Sequence, residues 1–169
     1  GHCLVFAVDN DPLRLAMAAQ NAAAYGCRKR VTFIEDDLTR MQLPTAGAFW
    51  FDPARRAGGR RRFSVRDYQP PLSMVKGWLA HTPAIGVKIS PGVDLAELAA
   101  VLGDGRQTTD DGHASPVVGR PSSSCEIEFI SVDGVLKECA LWFGPLKTAE
   151  RRATLLPGRH TLVESTDAT

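Results

Sequence analysis

The sequence is short of cysteine, of net charge and of long apolar runs. Its four cysteines, Cys3, Cys27, Cys125 and Cys139, are widely scattered and form no C-x-x-C pair. Neither a zinc site nor a disulfide framework is indicated, and a reducing cytoplasm is the expected compartment. No stretch approaches the ~18 apolar residues needed to span a bilayer, and nothing ahead of the first strand reads as a signal peptide, so no membrane partner is expected. Net charge is +1, from 20 basic and 19 acidic residues. Affinity for nucleic acid must therefore come from local clustering, not from the global field. There is no internal repeat. His2, His81, His113 and His160 are isolated from one another, and no metal site is expected. What remains is one domain's worth of chain, 169 residues with 44% apolar and 23% charged content, ordinary for a soluble globular protein.

The most informative stretch is 49–56, FWFDPARR. Three aromatics in a row read as the end of a strand buried on both faces. Pro53 cannot donate to a ladder and stops the pairing. Asp52 is thereby delivered at the carboxyl end of a strand, where open α/β sheets place their ligands. Behind it stand Arg55, Arg56, Arg60, Arg61, Arg62 and Arg66, six arginines in 12 residues. Two readings stay open on these residues: an active-site lip facing a phosphate-bearing substrate, or a capped strand end followed by a solvated basic loop.

The rest of the chain alternates β and α. Residues 3–8, CLVFAV, read as a buried strand. Asp11 and Pro12 start a helix that carries Leu13, Ala16, Met17, Gln20 and Ala24 at helical spacing and stops at Gly26. A strand follows at 31–34, ending in Glu35, Asp36 and Asp37. After the proline-rich segment 68–71, a helix is expected from 72–73 to about 80, then a strand at 84–89. Asp94 and Glu97 form a capping box for a further helix, and 103–124 reads as a long flexible loop. Segments 126–131 and 136–143 form a hairpin across Asp133 and Gly134, and a short second hairpin is expected across Pro157 and Gly158. This order points to a mostly parallel sheet with an antiparallel edge.

The segments AVDNDPLRLAMAAQNAAAYG, VTFIEDDL and FWFDPARR, in that order, resemble the second, third and fourth motifs of class I S-adenosylmethionine-dependent methyltransferases. DPARR at 52–56, YQPPLS at 68–73 and ALWFGP at 140–145 are similar to bacterial members that carry a C-terminal THUMP-like domain. The helix end NAAAYG at 21–26 also resembles the trimethylguanosine synthase group. The resemblance implies a Rossmann-like α/β sheet, mostly parallel with a C-terminal antiparallel hairpin and missing its first strand. It divides the chain into a partial methyltransferase domain at 1–145 and an extension at 146–169 leading to a THUMP-like domain outside these residues. The D-x-x-x-G-x-G-G-like turn that wraps the cofactor's methionine end is not in this sequence, and a fragment lacking it is expected to bind cofactor weakly.

The same resemblance supplies candidate roles. Asp9, with Asn10 beside it, matches the acid that accepts both ribose hydroxyls of S-adenosylmethionine. Asp37 matches the acid that accepts from the adenine amino group, with Asp36 presenting backbone to the ring. Asp52 and Pro53 occupy the position that holds a target amino group. The aromatic that follows in related enzymes is replaced here by Ala54 and Arg55, so Tyr68 or Trp50 is the expected stacking group. Arg55, Arg56, Arg60, Arg61 and Arg62 are the candidate contacts to nucleic acid, RNA more than DNA, since guanidinium forks match phosphate geometry. Asp-Pro-Pro-Arg-like ends also occur in RNA uracil-C5 methyltransferases, but no cysteine here sits in the context that mechanism requires. Two rivals remain. A Rossmann oxidoreductase would share the pattern around Asp9 without explaining DPARR, and a non-catalytic nucleic-acid-binding module would explain only the arginines.

Overall fold

The computed structural model of the chain describes residues 3–57, 60–61, 64–103 and 125–164, with backbone only at 56, 57, 60 and 61. In chain order its main elements are β1 (Val5–Asp9), α1 (Pro12–Ala24), β2 (Val31–Glu35), β3 (Phe49–Phe51), β4 (Arg56–Ala57), β5 (Arg60–Arg61), α2 (Met74–Trp78), β6 (Ile85–Ile89), α3 (Leu95–Leu102), β7 (Cys125–Val132), β8 (Val135–Phe143), β9 (Arg151–Leu156) and β10 (His160–Val163). They fall into two compact units, Gly1–Thr45 and Ala46–Thr169. Most of the loop expected at 103–124 lies outside the described residues.

In the first unit β1 and β2 pair in parallel, from Val5 opposite Val31 to Asp9 opposite Glu35. Helix α1 starts where the sequence places it: the Asp11 side chain accepts from the Leu13 and Arg14 amides, with Pro12 in the first turn. It ends as Gly26 takes φ +68°, and the Gly26 and Cys27 amides donate back to Ala23 and Ala22. Two expectations need correction. Leu4, Val5 and Phe6 of the supposedly buried first strand are exposed, and Leu13 and Met17 point to solvent while Leu15 is the buried residue of α1. A two-stranded ladder with one helix has too little apolar surface to cover both of its sides. The pair β1–β2 is also a ladder of its own, not part of the sheet that holds β3 and β6.

In the second unit the strand order is β10–β9–β7–β8–β6–β3. Pairs β3–β6 and β7–β9 are parallel; β6–β8, β7–β8 and β9–β10 are antiparallel. The chain is therefore a mixed α/β structure with an open sheet. Both expected hairpins form. The first turns through Asp133 and Gly134, both at positive φ, and β9 of the second lies along β7.

Strand alternation gives this sheet two unlike faces. Phe49, Phe51, Ile85, Val87, Ile89, Cys139, Leu141, Phe143, Cys125 and Ile127 share one face, and the buried side chains of Val65, Tyr68, Leu72, Val75, Trp78, Leu98 and Leu102 complete the core. Trp78 of α2 meets Phe49 and Phe51 edge-on, at ring-centroid distances of 6.3 and 4.9 Å. The other face carries Trp50, Gly86, Lys88, Trp142, Ala140, Glu138, Glu126, Glu128 and Arg152. The expectation that the 49–51 run is covered on both sides therefore holds for Phe51 and fails for Trp50, which is 56% exposed. Trp50 instead leans on Trp142 at 5.6 Å. The two rings meet over Gly86, where an added Cβ would stand 2.7 Å from Trp50 and 2.9 Å from Trp142.

Glu126 is wholly buried on that polar face. Its Oε2 accepts from the Thr148 and Ala149 amides at 2.6 and 2.8 Å, and its Oε1 faces Arg152 Nε at 2.8 Å as an ion pair. Glu128 beside it accepts from Trp142 Nε1 at 2.7 Å and Thr154 Oγ1 at 2.5 Å. The two carboxylates tie β7 to β8, to β9 and to the segment that enters β9. Removing Glu126 strands Arg152 and two amides. Glu126→Ala should lower unfolding free energy by about 3 kcal/mol; a loss under ~1 kcal/mol in denaturant titration would contradict this account.

Burial pushes the Cys139 thiol up from its ordinary 9.0 to about 12, helped by the nearby Cys125 and Glu128. A folded-state pKa above the unfolded one means stability is full below pH 9 and falls as pH rises toward 12. Cys139→Ala should flatten the alkaline limb of the stability–pH profile measured by circular dichroism. An unchanged limb would assign the loss to other groups.

Candidate active site

Two strand ends carry the acids singled out in the sequence, one in each compact unit. In the first, the carboxyl edge of β1–β2 gathers Asp9, Asn10, Asp36 and Asp37. The Asp36 amide donates to the Asp9 carbonyl at 3.2 Å. Asp9 Oδ1 accepts from the Asp11 amide at 2.9 Å, with Arg14 Nη1 3.8 Å away. Both interactions engage Oδ1, and among the described residues no hydrogen bond or ion pair engages Oδ2. Asp36 Oδ1 accepts from the Asp37 amide at 2.7 Å. Asp37 Oδ1 takes both the side-chain hydroxyl and the amide of Thr39, at 2.7 and 2.8 Å. These two bonds, with Arg40 in a smaller role, hold its carboxyl below the ordinary 3.8. Asp37 is thus fully ionised at neutral pH and shapes the turn that leaves β2.

A carboxylate at a strand end fits a vicinal diol, because its two oxygens can accept both hydroxyls in one plane. Asp9 presents such a carboxylate at the end of β1. No group of three or more His, Cys, Asp or Glu suited to a metal ion occurs among the described residues. Among them, no helix is long and apolar enough to cross a membrane.

In the second unit Asp52 stands at the tip of β3, followed by buried Pro53. The chain then turns sharply. Ala54 exchanges two backbone hydrogen bonds with Gln69, at 2.7 and 3.1 Å, which closes the arginine-rich segment at its base. Tyr68 sits inside that base and is 0% exposed, its hydroxyl accepting from the Ser90 amide at 2.9 Å just past β6. This corrects the expectation of Tyr68 as a stacking surface: the ring is core, and the hydroxyl joins the end of the arginine segment to the end of β6. Trp50, the other expected stacking group, is exposed on the polar face, one side-chain position before Asp52.

Arg66 is exposed and pairs with Glu97 at 3.5 Å; the other five arginines divide three ways. Arg55 is part-buried, and its Nη1 is buried without a hydrogen-bond partner among the described residues. Arg56, Arg60 and Arg61 lie in the two short antiparallel strands β4 and β5. Arg62 is outside the described residues. Asp52 pairs instead with a residue that the sequence alone does not single out. Lys88 Nζ on β6 is 3.6 Å from Asp52 Oδ2 and 3.5 Å from Glu138 Oε2 on β8. The signal was present, a single cation inside the apolar strand AIGVKI and an acid inside LKECALWF, but only the strand register brings the three together. The chemistry available here is hydrogen-bond acceptance at the exposed carboxylate of Asp52, steadied by an ammonium on its other oxygen.

No protein-family model matches the chain. Two curated relatives do, the uncharacterized S-adenosylmethionine-dependent methyltransferases of two Mycobacterium tuberculosis strains, CDC 1551 / Oshkosh and ATCC 25618 / H37Rv. The chain spans about a third of their length (35%). Over 154 residues, 88% of this chain, it is 36% identical to each.

Proposed function

We propose that the chain is the nucleoside- and acceptor-facing part of an S-adenosylmethionine-dependent methyltransferase of Rossmann-like class I type. The observation that carries this reading is the pair of acid-tipped strand ends, Asp9 and Asp52, within a chain 36% identical to methyltransferases over most of its length. The finer subfamily likeness, to enzymes with a THUMP-like domain, rests on DPARR, YQPPLS and ALWFGP. When bound, S-adenosylmethionine supplies an electrophilic methyl group. Asp9 would hold its ribose hydroxyls, with Asn10, Asp36 and Asp37 lining the same edge. Asp52 accepts an N–H of the acceptor, which orients the nitrogen lone pair for in-line attack, and Pro53, having no amide hydrogen, leaves the strand end open. The acceptor we favour is a nucleobase of RNA, in the cytoplasm, because guanidinium groups at 55–62 fit a phosphate backbone.

Three outcomes test this in the native protein. Asp9→Ala should weaken S-adenosylmethionine binding by ~1.5–3 kcal/mol, as for a lost hydrogen bond to a charged group; unchanged affinity in titration calorimetry would remove Asp9 from the site. Asp52→Ala should abolish methyl transfer while leaving cofactor affinity nearly intact. Replacing Arg55, Arg56 and Arg60–Arg62 should raise the Michaelis constant for RNA and flatten its salt dependence, by about one counterion for each phosphate no longer gripped. Wild-type salt slopes in those variants would exclude a polyanion held by this segment.

A further inference from the structure

We infer that Lys88 is the positioning residue for Asp52, anchored in turn by Glu138, an assignment that rests on the reading of Asp52 as the acceptor-holding group. The geometry is set by strand register. Phe51 of β3 lies opposite Val87 of β6, so Asp52 and Lys88 follow side by side on the same polar face. Across the other flank Lys88 lies opposite Ala140 of β8, whose methyl leaves room above it. The next residue of β8 on that face is Glu138, a diagonal neighbour within reach of a long side chain. The ammonium is therefore held between two carboxylates, 3.6 Å from one and 3.5 Å from the other.

This arrangement has directional content. Lys88 engages Oδ2 of Asp52, which leaves Oδ1 as the oxygen presented to an acceptor N–H. Without the ammonium, the half-exposed carboxylate can rotate about its terminal torsion, a broad well with little preference of its own. The distances are those of ion pairs, not tight hydrogen bonds, and partly exposed pairs contribute little to stability. Lys88 can therefore be changed without unfolding the protein, and its effect is readable in kinetics. Arg55 does not compete for Asp52 in this arrangement, although it is only three residues away along the chain.

The experiment uses the native protein, tritiated S-adenosylmethionine, and RNA purified from cells lacking the gene. Lys88→Met should lower kcat roughly 10- to 100-fold while KM for RNA and the cofactor dissociation constant each change less than about threefold. Lys88→Arg, which keeps a cation able to reach both carboxylates, should recover most of the rate. In an Asp52→Asn background Lys88→Met should cost nothing further. If Asp52→Asn lowers the rate but Lys88→Met leaves it unchanged, or costs the same in both backgrounds, the positioning role is overturned while the reading of Asp52 stands. If Asp52→Ala has no effect, that reading itself fails. A second measurement needs no acceptor. The ε-15N resonance of Lys88 should lose its order in both Asp52→Asn and Glu138→Gln, and a resonance indifferent to both substitutions would overturn the proposal.

Discussion

The parallel register of β3 on β6 is the constraint on which the second unit depends. Phe49, Trp50 and Phe51 lie opposite Ile85, Gly86 and Val87, and a slip of one residue would turn every side chain of β3 to the wrong face. Phe49 and Phe51 would leave the ring of Trp78. Trp50 would enter the core, where its indole N–H has no arranged partner. Gly86 is the point at which this register is enforced sterically, since two indoles cross where a side chain would otherwise stand. With the register fixed, everything at the strand tip follows. Asp52 emerges beside Lys88, Pro53 ends the pairing, and Ala54 meets Gln69.

The two faces of the sheet divide the labour between stability and chemistry. On the apolar face, burial of aromatic and branched side chains under α2 and the 65–72 segment supplies the driving force. The polar face is unusual for a sheet interior in holding Glu126 and Glu128 almost entirely out of water. Glu128 and Oε2 of Glu126 accept from amides, hydroxyls and an indole, while Oε1 of Glu126 makes no hydrogen bond and is balanced by the charge of Arg152. A gradient results along β7, β8, β6 and β3. Charge is sealed and immobile at Glu126, part-exposed at Glu138 and Lys88, and open at Asp52. Of these four charged side chains, Asp52 is the one most open to solvent.

Elements with a local cause were legible in the sequence. Asp11 and Pro12 start α1, Gly26 stops it, Asp94 caps α3, and Asp133 with Gly134 turns the hairpin, each through chemistry contained within a few residues. Acids at strand ends were legible for the same reason. What depends on long-range register was not. Lys88 looks like one charge in an apolar strand until β3 and β8 flank it. Tyr68 reads as a candidate platform until Ser90, 22 residues away, takes its hydroxyl. Burial of the first strand was misjudged because an apolar run signals a strand but not how many neighbours will cover it. The partition of 5–35 and 49–163 into separate sheets is likewise a property of pairing, which no short window contains.

The closure beneath the arginine-rich segment has a consequence for how this surface can change. Ala54 is bonded to Gln69, Tyr68 to Ser90, and Ser64 with the Val65 amide to Glu97. Fixed posts therefore stand on either side of the stretch between Ala54 and Ser64. Between fixed ends, a flexible loop costs only about 0.6 kcal/mol of closure entropy for each doubling of its length. Its composition and length can be rewritten while the posts, and the carboxylate at their foot, stay where they are. The stretch between the posts is a replaceable cassette: a place where sequence can diverge between relatives, or be grafted from one to another, without renegotiating the sheet.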